Sequence, residues 1–372
     1  MAAIFFDPEG DFDTFSELFG KAAADHRSVI ILACDANGIE KERVDPLLQR
    51  SGVPVIGGIF PAIIHDTAKH ERGTILIGLD EPLDVHIVER ISQKEYEQID
   101  REVEAEIDSF DPSVRTIFVF IDGLAGNIGE CVGVLFDNYG LDINYIGGGS
   151  GSLSFRRSPS LFTNRGLLQD ACVYAYSPLP SAIGVSHGWK RIDGPYQVTR
   201  SSATVIHELD YLPAFDLYKR VVDRYAPRPL DAENFFDTAK SFPFGLNTIS
   251  DEKIVRDPIM LDGSSIVCVG DVEEGSYVDI LQGEPERLIE AAGRAAQISR
   301  ANALFETEFI LFIDCISRVL FLENAFAREI EAVHTGEVPL VGALTFGEIA
   351  NNGRDFLEFY NKTSVVGRIG HG

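Results

Sequence analysis

The chain has 372 residues and a formal net charge of −26, and 45% of its residues are hydrophobic. This composition is typical of a globular protein, and the length predicts two domains of roughly 100–200 residues each. The acidic charge argues against DNA, RNA or an anionic membrane as a partner, because phosphate binding requires a concentrated basic surface.

A unit of strand, helix and strand recurs three times along the chain. The first strands of the units read SVIILACD (28–35), RTIFVFID (115–122) and EFILFIDC (308–315). Each is followed by an amphipathic segment and a second apolar strand, a pattern that indicates βα units with strands buried on both faces. We therefore predict an α/β fold, in which repeated strand–helix–strand units form two halves around mixed β-sheets as a layered α/β sandwich.

The segments between these units suggest where the domains divide. Residues 93–108 predict a surface helix, and residues 181–210 alternate around a Gly-Pro turn, which predicts a hairpin. A later helix stops at Ala226-Pro227 and is followed by a proline-broken stretch. We expect the boundary there, with domains at 1–226 and 227–372.

The five cysteines include no CxxC pair, so they indicate neither a disulfide framework nor a zinc site. The histidines and acids form no ligand-spaced cluster either, and no metal or cofactor is expected. No apolar stretch approaches the roughly 18 residues of a membrane-spanning helix. Because the N-terminus turns acidic without a basic segment, we also expect no signal peptide and a cytoplasmic location.

Polar residues at the strand ends are the first candidates for a binding site, since ligands of layered α/β sheets usually bind beyond the carboxyl ends of the strands. These ends carry, in chain order, Asp35, Asp122 and Asp314-Cys315. Arg318 follows the last of them, and Glu348 ends the apolar run VGALTFGE. One interpretation is an Arg318–Glu348 ion pair that ties two loops together. In the other, Arg318 binds a ligand carboxylate while Glu348 meets an ammonium or hydroxyl group.

Cys315 has two possible roles. A helix that begins near Ser317, together with Arg318, would lower the pKa of the thiol and favour a nucleophilic thiolate. No histidine lies near it in sequence to act as the base. Packing in the core is therefore the favoured role of Cys315, with a ligand contact or catalysis as alternatives.

Three further places are candidates for ligand contact. The first is a glycine turn formed by Gly147, Gly148, Gly149 and Ser150. Its N–H groups can form an anion nest, or its glycines let the chain pass close to another backbone. The second is His187, beside the only tryptophan, and the third is Asn361, next to the last strand. Each of the last two residues is either a ligand contact or a structural residue.

Several separated motifs together resemble one family. In chain order they are YIGGGSGS, VIHELDYLPAFDLY, SFPFGL, FIDCISR and VPLVGALTFGEI, and they are similar to those of the FIST proteins of bacteria and archaea, which have an N-terminal and a C-terminal FIST half. The resemblance covers most of the chain. The sequence departs from the family pattern after the glycines, where Ser152-Leu153 stands in place of the usual acidic residue.

The resemblance implies a sensory protein that binds small molecules, for which amino acids are the usual suggestion. Its signalling partner would be a separate protein such as a histidine kinase or a cyclase. The leading hypothesis is a stand-alone cytoplasmic sensor for a small polar, amino-acid-like metabolite. Its ligand-binding residues would be Arg318, Glu348, Cys315, Gly147, Gly148, Gly149, Ser150, His187 and Asn361. The alternatives are an enzyme that uses Cys315 in acyl or thiol chemistry, and a protein-binding scaffold without a ligand.

Overall fold

The structure is a computed structural model that describes residues 2–107, 110–247, 253–351 and 356–371. Its strands are β1 Ala3–Asp7, β2 Ser28–Cys34, β3 Val55–Phe60, β4 Ala62–His65, β5 Ala68–His70, β6 Thr74–Leu79, β7 Asp84–Glu89, β8 Thr116–Asp122, β9 Asn144–Ser150, β10 Leu161–Thr163, β11 Gly166–Leu168, β12 Ala171–Ser177, β13 Ser181–Ser186, β14 Lys190–Ser202, β15 Val205–Leu209, β16 Leu212–Pro213, β17 Phe244–Leu246, β18 Ile254–Asp262, β19 Ser265–Val269, β20 Tyr277–Gln282, β21 Glu306–Cys315, β22 Leu340–Thr345, β23 Glu348–Ala350, β24 Glu358–Tyr360 and β25 Ser364–His371. Its helices are α1 Phe12–Asp25, α2 Lys41–Gln49, α3 Tyr96–Ile107, α4 Ile128–Tyr139, α5 Ala214–Val222, α6 Phe235–Ala239, α7 Pro285–Asn302, α8 Ile316–Leu322 and α9 Phe326–Val333.

Three six-stranded mixed sheets form the body of the molecule. Their strand orders are β1-β6-β2-β3-β10-β11, β24-β23-β9-β8-β12-β7 and β13-β25-β21-β22-β4-β5. Each sheet contains one parallel pair, and these pairs are β2–β3, β8–β9 and β21–β22. The predicted α/β class with mixed sheets is confirmed, whereas the equivalence of the three strand–helix–strand units stays a prediction.

A small β-barrel was not expected from the sequence. Strands β14, β20, β17, β18, β19 and β15 pair in that order, and the β14–β15 pairing closes the ring. The expected hairpin over 181–210 is only partly right, because β13 pairs with β25 and the hairpin is formed by β14 and β15. Gly194-Pro195 lies inside β14, where the register to β20 shifts, and not at the turn.

The sheets cross the boundary predicted at 226/227. Strand β4 pairs with β22, β13 pairs with β25, and β9 pairs with β23, so each of these contacts joins the first part of the chain to the last. The boundary itself stays a prediction. These pairings place the strand ends of the first and third units in neighbouring sheets.

Close backbone packing holds helix α7 against the third sheet. The helix buries a stripe that includes Leu288, Ala292 and Ala295, and it lies on strands β13 and β25. A Cβ atom on Gly184 of β13 would lie 1.9 Å from the carbonyl oxygen of Ala295, so only glycine allows this approach. In the described part of the chain, no helix is both long and apolar enough to span a membrane.

Candidate functional site

Arg318 is fully buried, and protein atoms accept all of its hydrogen bonds. Its Nε donates to Glu329 Oε1 at 2.9 Å and pairs with Asp314 Oδ1 at 3.2 Å. Nη2 donates to Glu329 Oε1 and to the carbonyl of Leu288, and Nη1 donates to the carbonyls of His187 and Lys362. A guanidinium has five N–H groups, and each of these has an acceptor here. Arg318 therefore has no N–H group left for a ligand carboxylate.

The ion-pair partners of Arg318 are Asp314 and Glu329, and the expected pair with Glu348 is not formed. Glu329 was missed by the sequence analysis, although a signal was present. It shares the buried face of α9 with Phe326, Ile330 and Val333. A charged residue on such an apolar stripe indicates a buried partner of opposite charge.

Glu348 is fully buried at the start of β23 and contacts the protein through both carboxyl oxygens. Oε1 accepts a hydrogen bond from Thr345 Oγ1 at 3.0 Å, and Oε2 accepts one from the Thr363 amide at 3.2 Å. The Cys315 thiol lies close enough to this carboxyl to lower its pKa slightly, against the larger effect of burial. Burial raises the pKa of Glu348 to about 8. Glu348 therefore links the Thr345 side chain, at the end of β22, to the Thr363 backbone just before β25, and it lies beside the Cys315 thiol.

Cys315 is buried in the core, and the pKa shift expected for a nucleophilic thiolate, which was the alternative to packing, has the wrong direction. Cys315 is 3% exposed, and burial raises the pKa of its thiol well above the usual range, with the Glu348 carboxylate adding to the effect. These two effects exceed the opposing influence of Lys362. A thiol of raised pKa is mostly un-ionised at neutral pH and therefore a poor nucleophile.

Two buried carboxyl groups, Asp314 and Glu329, contact one guanidinium, and a third, Glu348, lies nearby. Burial raises the pKa of Asp314 and of Glu329, and the mutual repulsion of the two groups raises that of Asp314 further. The nearby cation of Lys362 is already paired, because its Nζ lies 3.0 Å from Asp257 Oδ2. Together with Glu348, the cluster has more carboxyl groups than cations. Part of it is therefore protonated at neutral pH.

The other predicted contacts lie around this cluster or in the second sheet. His187 is uncharged at neutral pH, because burial lowers its pKa to about 3. Its Nδ1 accepts a hydrogen bond from the Trp189 amide at 2.9 Å. Asn361 is 2% exposed, and its Nδ2 has no hydrogen-bond partner among the described residues. Both residues are thus placed beside Arg318 and Lys362, in the interior.

The predicted glycine turn is not a turn, because Gly147, Gly148, Gly149 and Ser150 are the second half of strand β9. A Cβ atom on Gly147 would lie 1.7 Å from the Val119 carbonyl oxygen, and one on Gly149 would lie 2.3 Å from that of Phe346. The glycines serve close backbone packing, which was one of the two interpretations. Ser150 is fully buried and shares a hydrogen bond of 2.7 Å with Ser160.

A cavity of about 290 Å³ lies where the first two sheets end. Its floor is buried and is formed by Ile59, Asp122, Gly151, Ser152 and Ser160. Its rim carries the more exposed side chains Asp35, Glu40, Lys41, Glu42, Arg156 and Ser158. We call this cavity the strand-end pocket, since Asp35 follows β2 and Asp122 ends β8.

The floor of the strand-end pocket is held by hydrogen bonds. Ser152 Oγ donates to Asp35 Oδ2 at 2.6 Å. Asp122 accepts from the amides of Leu124 and Asp170 at 3.1 and 2.8 Å. Lys41 is bound to Asp45 at 2.7 Å, whereas Arg156 at the rim is exposed. Asp122 is paired with Arg157 at 3.9 Å, so the charged groups at the rim that face a ligand are the carboxylates of Asp35, Glu40 and Glu42 and the guanidinium of Arg156.

The sequence analysis recognised two residues of this pocket as strand ends but did not choose them as binding residues. Asp35 and Asp122 met the positional rule for ligand sites in layered sheets. The loop 151–160 supplies a large part of the remaining wall, and its serine- and arginine-rich sequence was the available signal. Among the described residues, no group of three or more histidine, cysteine or acidic side chains is placed to hold a metal ion.

The architecture defines a mixed α/β protein of linked sheets with a small barrel. Comparison with known families gives a match to the FIST N domain over residues 28–211 and to the FIST C domain over residues 214–351. The chain therefore belongs to the FIST family, a family of sensory domains.

Individual relatives add little to this assignment. A Methanocaldococcus jannaschii protein described as "Uncharacterized protein MJ1623" is 24% identical over 280 residues, which cover 68% of this chain and 53% of that protein. The chain thus spans about half the length of this relative. A crystal structure of a chorismatase aligns over 100% of this chain and 98% of its own, with 11% identity and a TM-score of 0.33. This likeness is too weak to indicate a shared fold.

Proposed function

We propose that this FIST protein is a cytoplasmic sensor that binds a small polar metabolite in the strand-end pocket. The occupied state would be recognised by a partner protein, such as a histidine kinase or a cyclase. The observation that supports the proposal is a cavity of about 290 Å³ with a buried polar floor at the carboxyl ends of two neighbouring sheets. Ligand pockets typically measure roughly 300–1,000 Å³, so the size favours a small ligand.

The charges of the pocket favour a ligand that carries both signs. The carboxylates of Asp35 and Glu40 at the rim suit an ammonium group, while Arg156 suits a carboxylate. The buried hydroxyls of Ser152 and Ser160 fix the floor through hydrogen bonds to Asp35 and Ser150. An amino acid meets these requirements, which agrees with the ligand class that the family suggests.

This proposal moves the ligand away from Arg318 and Glu348. Binding a ligand carboxylate at Arg318 would require breaking contacts with two buried carboxyl groups and three carbonyls. An unpaired charge in the interior is costly. Arg318, Glu348 and Cys315 then hold the third sheet together, and the ligand occupies the open strand ends of the first two.

A thermal-shift screen against the twenty common amino acids and small organic acids tests the proposal. A ligand at 100 times its dissociation constant adds about 2.7 kcal/mol to the stability of the wild type. We expect this shift to disappear in Asp35→Asn and in Arg156→Ala, and to persist in Asp262→Asn, an exposed control outside the pocket. A shift that survives both pocket substitutions would place the ligand elsewhere. No shift with any compound would favour the protein-binding scaffold.

An enzyme that uses Cys315 is the second candidate, because the Glu348 carboxyl lies close to the thiol. This function predicts rapid, stoichiometric alkylation of Cys315 by iodoacetamide, measured by mass spectrometry of the labelled peptide. The burial of the thiol predicts the opposite. Slow labelling of Cys315 that accelerates only on unfolding would exclude the candidate.

A further inference from the structure

We infer that Phe346 couples the strand-end pocket to the buried cluster around Glu348, so that occupancy of the pocket changes the surroundings of Trp189. This inference rests on the proposed binding function, and it concerns how that site is read. Phe346 belongs to the turn between β22 and β23, two residues before Glu348. It is 8% exposed, packs against the pocket wall, and is joined to Glu348 through Gly347.

On the pocket side, Phe346 lies directly behind lining residues. A Cβ atom on Gly151 would lie 3.0 Å from Phe346 Cδ2 and 3.3 Å from Leu124 Cγ, and both Gly151 and Leu124 line the pocket. The ring of Phe155 meets the ring of Phe346 edge-on, with centroids 5.8 Å apart. A movement of the pocket wall therefore reaches the Phe346 ring by direct contact.

Backbone hydrogen bonds fix the turn of Phe346 to the end of strand β9. The Phe346 amide donates to the Gly149 carbonyl at 2.9 Å, and the Gly149 amide donates to the Gly347 carbonyl at 2.8 Å. Gly347 has a φ of +91°, and a Cβ atom there would lie 2.2 Å from the Phe359 ring. The turn is thus tightly enclosed, and displacement of Phe346 shifts Glu348 as well.

On the cluster side, Glu348 connects the turn to the only tryptophan. Its Oε2 accepts from the Thr363 amide at 3.2 Å, and the neighbouring Lys362 carbonyl accepts from Trp189 Nε1 at 2.9 Å. The Lys362 ammonium also lies 5.0 Å from the Trp189 ring centroid. Indole emission responds to such polar neighbours, so Trp189 reports on the position of the 361–363 segment.

The pocket wall is the part of this connection that can move at the lowest cost. In the loop 151–160, Leu153 is 43% exposed and Phe155 is 58% exposed, so few buried contacts restrain its tip. A ligand that contacts Ser152 and Arg156 favours one position of the loop through its differential contacts. Phe155 and Phe346 then carry that change to Glu348.

Tryptophan emission measured during titration tests the inference, with the amino acid that gives the largest thermal shift as the probe. In the wild type, we expect binding to change the Trp189 emission. In Phe155→Ala, calorimetry should still show binding, while the emission change is strongly reduced, and in Phe346→Leu it is lost. Leu153→Ala is the matched control on the same loop, and it should retain both signals. Phe155 is exposed enough that its variant is expected to fold.

Binding without any emission change in the wild type would overturn the coupling and leave the proposed function intact. A ligand-induced emission change that is the same in Phe155→Ala, Phe346→Leu and the wild type would do so too. If no compound binds, the proposed function fails, and the contact is tested without ligand. Phe155→Ala should then alter the Trp189 emission of the free protein, whereas Leu153→Ala should not. Identical emission of these two variants and the wild type would contradict the contact.

Discussion

The strand-end pocket and the cluster around Arg318 lie at the carboxyl ends of parallel strand pairs, but they differ in access to solvent. Asp35 and Arg156 at the pocket rim are exposed, whereas Asp314, Arg318, Glu329 and Glu348 are fully buried. The third sheet is covered by helix α7, which supplies the Leu288 carbonyl, and by barrel strand β18, which supplies Asp257. Its charged groups therefore satisfy one another. A polar residue at a strand end indicates a ligand site only where no other layer covers it.

The largest expected effect is the removal of the central cation from the cluster. Arg318→Ala leaves the buried carboxyls of Asp314 and Glu329 without their partner, so we expect a loss of about 3–5 kcal/mol in the free energy of unfolding by urea. The control is Arg328→Ala, which breaks an exposed ion pair with Glu286 and should cause a far smaller loss of stability. Equal losses in the two variants would contradict the central role of Arg318.

A second substitution tests the enclosed turn beside Glu348. Gly347→Ala places a Cβ atom in the Phe359 ring and imposes a positive φ on alanine. We expect a destabilisation of about 1–3 kcal/mol from the backbone alone, with the ring clash in addition. Gly336→Ala is the matched control, since Gly336 also has a positive φ but no atom within 4 Å of the added Cβ. A Gly347→Ala variant no less stable than the control would show that the turn is not enclosed.

A third prediction concerns pH. The pKa of Glu348 is about 8 in the folded protein, compared with 4.5 for an ordinary glutamate. The folded state therefore binds this proton more tightly than the unfolded chain does. Its contribution is fully present below about pH 4.5 and is lost as the pH rises to about 8. Asp314 and Glu329 act in the same direction.

Glu348→Gln removes the carboxyl group that titrates but keeps the shape of the side chain. Urea unfolding measured between pH 5 and pH 8 should show a smaller fall in stability for this variant than for the wild type. Part of the fall remains, because Asp314 and Glu329 still titrate. Parallel pH profiles of the two proteins would contradict a buried, protonated Glu348.

The smallest expected effect on stability belongs to the pocket. Asp35 is exposed, so Asp35→Asn should change the free energy of unfolding by no more than about 0.5 kcal/mol. The same substitution should nevertheless weaken ligand binding, measured by calorimetric titration with the amino acid selected in the screen. A large loss of stability would show that Asp35 is a structural residue.

The α/β class could be predicted because the apolar strands are continuous and alternate with amphipathic helices. The barrel could not, because its closure depends on the non-local pairing of β14 with β20 and of β15 with β19. The pairing of strands from the first part of the chain with strands from the last part could not be predicted for the same reason. Short strands such as β4 and β23 have no sequence signal for the sheet that they join.

The proximity of Arg318, Glu348 and Cys315 could be expected from the sequence, but the arrangement of their partners could not. Arg318 and Glu348 do lie close to Cys315, yet the sequence could not show that Glu329 from α9 takes the place of Glu348 beside the guanidinium. Burial, which decides whether such a group meets a ligand, depends on layers that pack over it. Asp35 and Asp122 were recognisable as strand ends from their position, but the sequence could not show that a cavity forms beside them.

The central claim is that the ligand binds in the strand-end pocket and not at the buried cluster. The most direct measurement is calorimetric titration of the selected amino acid into Asp35→Asn and Glu348→Gln side by side. The account predicts that binding is lost or greatly weakened in Asp35→Asn and retained in Glu348→Gln. The reverse result, binding that survives at Asp35→Asn and disappears in Glu348→Gln, would contradict it and return the ligand to the cluster.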